Sequence, residues 1–268
     1  MNIPFLKSTS QRLVVTFLIL VASANWVYAD SNNDEYVNEV HGVIGLGVKT
    51  IPKFLGSDKT KAEAFPTGQL SYGRFFVGGS AGLGIGYNAF EAGDFTFGTF
   101  VNQQLDSPRK ESDDIRLKGL GDVKATSRGG LFTKYERDWL RTSADLSWDI
   151  GGKKQGLLAI FSAEATFRPV ERLELSAGPK IIYGNSEYVN TVFGINQVQS
   201  VNSGLALYKP KGGISEAAME FGATYLWDKN WILGSKVIIG KLEGDSAKSA
   251  IVEKKSQNSI GVFVAYKF

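Results

Sequence analysis

LRTSADLSWDI, residues 140–150, alternates without a break. Leu140, Thr142, Ala144, Leu146, Trp148 and Ile150 fall on one face, and Arg141, Ser143, Asp145, Ser147 and Asp149 on the other. That period of two marks a strand with one apolar and one polar side, and its length is about what a tilted strand needs to cross a bilayer. Residues 157–167, 173–183, 215–227 and 231–242 repeat the pattern, with no charge on the apolar face until the strand ends. The last nine residues, IGVFVAYKF (260–268), put Ile260, Val262, Val264, Tyr266 and Phe268 on one face and Gly261, Ala265 and Lys267 on the other, interrupted by Phe263. Alone, that stretch fits either the edge of a soluble sandwich or the closing strand of an outer-membrane barrel; the repetition upstream favours the barrel.

Connections alternate in length. Residues 138–139, 170–172 and 228–230 read as tight turns, whereas 186–213 and 243–255 read as long polar loops, the asymmetry of a barrel with short periplasmic turns and long outer loops. In the N-terminal half, strands are expected over 36–48, 64–72, 95–105 and 127–136, with outer loops over 49–63 and 106–126. Both termini on one side require an even count, so 75–90 must supply two strands that reverse near Gly78-Gly79. The expectation is an all-β antiparallel transmembrane barrel of twelve strands, with ten as the alternative.

Residues 1–29 read as a secretory signal peptide: Lys7 and Arg12 precede the apolar run 13–22, too short to span a membrane, and Val27-Tyr28-Ala29 suits cleavage. The barrel domain is then 30–268. Cleavage removes two basic and no acidic residues, so the formal charge falls from +3 to +1, 28 Lys and Arg against 27 Asp and Glu. A near-neutral exported chain is a poor nucleic-acid binder. The sequence has no Cys, which excludes disulfides, thiol catalysis and a lipid anchor on cysteine.

Chemical motifs are sparse. Gly79, Gly82, Gly84 and Gly86 lack the following helix and Lys-Ser or Lys-Thr pair of a phosphate loop, and read as glycines that let a barrel strand bend and pack. His41, the only histidine, shares the inward face with Glu39 and reads as a lumen polar group rather than a general base. No clustered ligands point to a metal, and no cofactor is expected. The inward polar set is Glu39, His41, Arg141, Asp145, Asp149, Glu164, Lys180, Glu216, Glu220 and Lys236. Its mixed sign fits a narrow aqueous channel or a self-paired network that plugs the lumen. Residues 109–116 read as a solvated face able to meet lipopolysaccharide phosphates.

Several loop segments carry a resemblance. PKFLGS (52–57), LKGLGD (117–122), Gly178-Pro179, Tyr188 with Phe193-Gly194-Ile195, Ser203-Gly204-Leu205 with Tyr208, and the closing Tyr266-Lys267-Phe268 together resemble the MipA/OmpV family over nearly the whole mature chain. That family has Tyr more often than Phe at the position of Phe54. The resemblance implies an outer-membrane barrel in contact with lipid and lipopolysaccharide, with Tyr266 and Phe268 as an assembly signal read by the barrel-assembly machinery. It implies no catalytic residues, hence no enzyme. The founding member is described as a scaffold that joins a lytic transglycosylase to a penicillin-binding protein in peptidoglycan synthesis; other members are described as surface antigens and adhesins. Scaffold is therefore the first functional expectation, surface adhesin or antigen the second, and narrow channel the third.

Overall fold

A computed structural model describes residues 39–79, 82–103 and 108–268. Twelve antiparallel strands close into a barrel: β1 (His41–Pro52), β2 (Thr60–Tyr72), β3 (Phe75–Gly78), β4 (Gly84–Ala92), β5 (Phe95–Gln103), β6 (Ser127–Arg137), β7 (Leu140–Asp149), β8 (Leu157–Val170), β9 (Leu173–Gly184), β10 (Gly213–Leu226), β11 (Trp231–Leu242) and β12 (Ser256–Lys267). Every strand pairs with its sequence neighbours, and β12 returns to β1. The expected twelve strands are present, including the two drawn from 75–90. The signal segment 1–29 and Tyr36 lie outside the described residues.

Alternation fixes which way each strand faces. Ile44, Leu46, Val48, Val101, Phe161, Phe221, Ile239 and Val262 are exposed on the outer wall. Trp139, Trp227, Trp231 and Tyr266 flank them at the end with the tight turns. So much exposed apolar surface on a continuous band has hydrocarbon, not water, as its complement, with aromatic residues at the interface.

Interior glycines and phenylalanines come in cross-strand pairs. Gly47 faces Phe65, Gly86 faces Phe76, Gly98 faces Phe132, Gly130 faces Phe100 and Gly234 faces Phe263. A Cβ at any of these five glycines would come within 2.0–2.6 Å of a ring carbon, so each ring lies flat over a missing side chain. The ring shields backbone that glycine leaves bare, which offsets the weak strand propensity of glycine. Phe263, which breaks the alternation of the closing strand, is therefore an inward residue seated on Gly234.

One stretch of wall is thin. β3 has four residues and pairs only with Gln69–Tyr72 of β2. Gly42 exchanges both backbone hydrogen bonds with Phe268, so even-numbered residues of β1 face β12 and even-numbered residues of β2 face β3. Pro66, which has no N–H to donate, thus turns its nitrogen to the side where β3 has already ended.

Candidate functional site

The loop end of the barrel is covered by a folded crown. Residues 186–213, expected as a long polar loop, form two helices, α1 (Ser186–Phe193) and α2 (Gln197–Ser203). Asn185 caps α1 by accepting from the Tyr188 amide. Asn196 and Gln199 form a reciprocal capping box on α2, and Gly204 ends it in the left-handed conformation at φ 75°. α1 buries Tyr188, Val189, Val192 and Phe193 against Leu158, Ile182 and Leu242 at the barrel mouth. A second cluster gathers Phe54, Leu117, Leu120, Ile195 and Ile251, one or two residues from each of four loops.

Polar clamps tie these loops together. Ser249 Oγ donates to Phe193 O at 2.6 Å, Arg116 Nη2 to Ala250 O at 2.6 Å, and the amides of Glu253 and Lys254 to Gly56 O at 2.8 and 3.0 Å. Lys59 and Asp114 meet at 2.6 Å; their hydrogen bond holds the Asp114 carboxyl below the usual carboxylate range and raises Lys59. Residues 109–116 are thus not simply a solvated face: Arg109 is 2% exposed and donates to Val192 O at 2.8 Å.

Below the crown, the inner faces of β8–β11 carry a ladder of charges. Lys180 reaches Glu220 at 3.2 Å, Lys236 reaches Glu220 at 2.6 Å and Glu164 at 3.3 Å, and all four side chains are buried. Nearer the turn end Glu174 accepts from both Nη atoms of Arg141 at 2.5 and 3.0 Å and from Arg168 at 2.8 Å. A cavity of about 70 Å³ remains between ladder and crown, bordered by Lys180, Glu216, Tyr188 and Phe193.

The remaining residues of the inward polar set lie apart from these pairs. Asp145 forms no salt bridge among the described residues, and its Oδ1 is buried without a hydrogen-bond partner. Asp149, at the outer end of β7, accepts from Thr126 Oγ1 and from the amides of Gly151, Lys153 and Gln155, so it shapes the loop over 150–156. His41 and Glu39 are exposed at the turn-end rim, where His41 Nδ1 lies 3.2 Å from the Glu39 carbonyl. Tyr266 packs on Trp231 at 5.1 Å and on Phe268 at 6.4 Å.

Sequence reasoning passed over several interior groups. Lys134 lies over the rings of Phe132 and Phe76 at 5.4 and 6.0 Å, Lys49 faces Glu63 at 3.9 Å, and Arg128 donates to Ser147, Gln155 and Gly156 beneath the 150–156 loop. Strand parity alone would have placed Lys49, Lys134 and Arg128 inward.

The family described as MltA-interacting protein MipA matches residues 44–268. The chain belongs to this family. A relative of this MipA-family chain, a 24 kDa outer membrane protein of Pasteurella multocida (strain Pm70), is 26% identical over 181 residues, 65% of this chain and 70% of the relative. Among solved structures, OmpT of Vibrio cholerae aligns with a TM-score of 0.40 at 9% identity, over 86% of this chain and 97% of its own. OprB of Pseudomonas putida aligns with a TM-score of 0.45 at 9% identity, over 86% and 94%. The MipA-family chain is an outer-membrane β-barrel protein, and by the rule for such barrels its tight turns are periplasmic and its crown extracellular.

Proposed function

We propose that this barrel acts as an interaction scaffold for the peptidoglycan synthesis and turnover machinery, with a lytic transglycosylase and a penicillin-binding protein as its partners, and not as a conduit. The observation that carries the reading is the crown packed over the barrel mouth with the Lys180–Glu220–Lys236–Glu164 ladder below it. The name of the family supports the choice of a murein transglycosylase as partner. The periplasmic turns are short and a standard protein interface needs about 800 Å² per partner, so the grip is assigned to the turn tips together with residues 30–39. Residues 1–29 direct export and are removed, and Tyr266 and Phe268 address the barrel to the assembly machinery.

The test is capture of a purified lytic transglycosylase by the folded barrel. Binding that is lost when residues 30–35 are deleted is the expected result; no binding by the intact barrel would sink the scaffold. In a planar bilayer the barrel is expected to be silent, and conductance that responds to Glu216→Gln or Asp145→Asn would instead make it a channel. Replacing His41 by Ala is expected to change no hydrolytic activity. A second reading, surface antigen or adhesin, draws on Ile115, Val198, Val201 and Leu207, which the crown leaves exposed. Adhesion of whole cells that falls on replacing these four by Ser would favour it.

A further inference from the structure

The crown contains a cleft of about 570 Å³ between the β5–β6 loop, the 150–156 loop and the segment that carries α1 and α2. That is room for more than a single inorganic ion and falls within the range of small-molecule sites. Its lining is strongly one-signed. Arg109, Lys124, Lys153, Lys154 and Lys209 face it against Asp122 alone, and no salt bridge reaches any of these five cations among the described residues. The loops are held in this shape by bonds that cross between them: Thr191 donates to the Lys154 carbonyl at 2.5 Å, and the Gln155 side chain donates to the Lys124 carbonyl. Lys154 takes a left-handed backbone at φ 59°, uncommon for a residue with a side chain.

Arg109 supplies the independent observation. Its Nη1 is occupied by Val192 O, but Nε and Nη2 are buried with no hydrogen-bond partner among the described residues. Those two nitrogens form the side-on edge of the guanidinium, the edge that matches two oxygens of one phosphate. Burial pushes Arg109 down to about 10 against the pull of Asp122 and Glu111, so it stays cationic at neutral pH while two of its buried nitrogens lack a hydrogen-bond partner among the described residues. The four lysines around it are exposed and free to swing as a ligand enters.

We propose that this extracellular cleft binds a phosphorylated sugar, with the phosphate on the Nε–Nη2 edge of Arg109 and the lysines, and the hydroxyls on amides such as Asn190 and Gln197. The inference is independent of the scaffold reading, since the cleft lies on the opposite side of the membrane from the periplasmic turns. Two sources carry this chemistry: a soluble sugar phosphate and the phosphorylated headgroup of lipopolysaccharide in the same leaflet.

The test is titration calorimetry of the folded full chain in detergent micelles with glucose 6-phosphate, with glucose, and with lipopolysaccharide before and after phosphatase treatment. Glucose 6-phosphate or intact lipopolysaccharide is expected to bind, more weakly as salt rises, and glucose and dephosphorylated lipopolysaccharide are not. Binding of the sugar phosphate alone identifies a soluble ligand, and binding of lipopolysaccharide alone identifies the headgroup; both uphold the site. The triple variant Lys153→Gln, Lys154→Gln, Lys209→Gln is expected to weaken binding by about tenfold or more, and Arg109→Lys, which keeps the charge and loses the two-pronged edge, by a similar factor. If Arg109→Lys fails to fold, the lysine variant decides. No binding of either probe, or unchanged affinity in a lysine variant that still shows heat-modifiable migration, would overturn the proposal.

Discussion

From β8 to β11 the barrel interior carries Lys180, Glu220, Lys236 and Glu164, whereas from β1 to β6 Phe65, Phe76, Phe100 and Phe132, each seated on a glycine of the neighbouring strand, lie among Lys49, Glu63, Arg128 and Lys134. Both halves obey the same alternation. They differ in what a single substitution would do. In the ionic half each charge is buried because its partners are, so removal of one member strands the others. In the aromatic half each ring stands on its own glycine, and damage reaches only the rings it touches, as Phe76 and Phe100 touch Phe132.

The sharpest way to break the contrast is Glu220→Ala, which removes the carboxylate shared by Lys180 and Lys236. Loss of about 3–5 kcal/mol of unfolding free energy in lipid or detergent is expected, as for breaking a buried ion pair from one side. Replacing Lys180, Glu220, Lys236 and Glu164 together by Met should recover most of it, because no member of the ladder is then left as an unpaired buried charge. Denaturant unfolding followed by gel mobility reads both.

In the aromatic half, Phe132→Ala is expected to cost about 3 kcal/mol, since Phe132 is fully buried and touches both Phe76 and Phe100. Phe263→Ala, at a less buried ring on β12 outside that half, should cost about half as much, the reduced area being the reason. An equal loss at the two positions would mean that the contacts of Phe132 with Phe76 and Phe100 add nothing to its ring's seat on Gly98. A Gly98→Ala change should be worse than its size suggests, because the new Cβ meets both the Phe132 ring and the Tyr87 carbonyl at 2.4 Å.

The smallest effect expected is on the crown and depends on pH. Asp114 is depressed by its bond from Lys59, so its contribution is fully present above the ordinary carboxylate pKa of about 4 and is lost as pH falls through its lower folded value. Lys59 is raised, so its share persists to pH above about 10. Protection of the crown against protease should therefore be flat across neutral pH and decline in acid below about pH 4. Asp114→Asn should flatten that decline, and an unchanged acid limb would show that other carboxylates, such as Asp245, govern it.

The barrel was legible because lipid imposes one rule on every strand, and residues 140–150 state it without exception. Strand count followed from parity even where β3 is only four residues long. The crown was not legible in the same way, because a loop core draws one apolar residue from each of several distant segments, as Phe54, Leu117, Ile195 and Ile251 do, and no periodicity marks them. The helices did leave a trace: Tyr188, Val189, Val192 and Phe193 follow helical spacing, and Asn196 with Gln199 is a capping signature. In the lumen, parity located the charges but could not say which of them meet. That depends on register across four strands, so Asp149 was grouped with residues it does not touch.

The brevity of β3 also sets where the cylinder would come apart. Its four residues join β2 to β4, while β10 on the far side is held along fourteen. Pulled sideways, such a wall has a crack line already scored into it, and Pro66 beside it has no backbone donor to add.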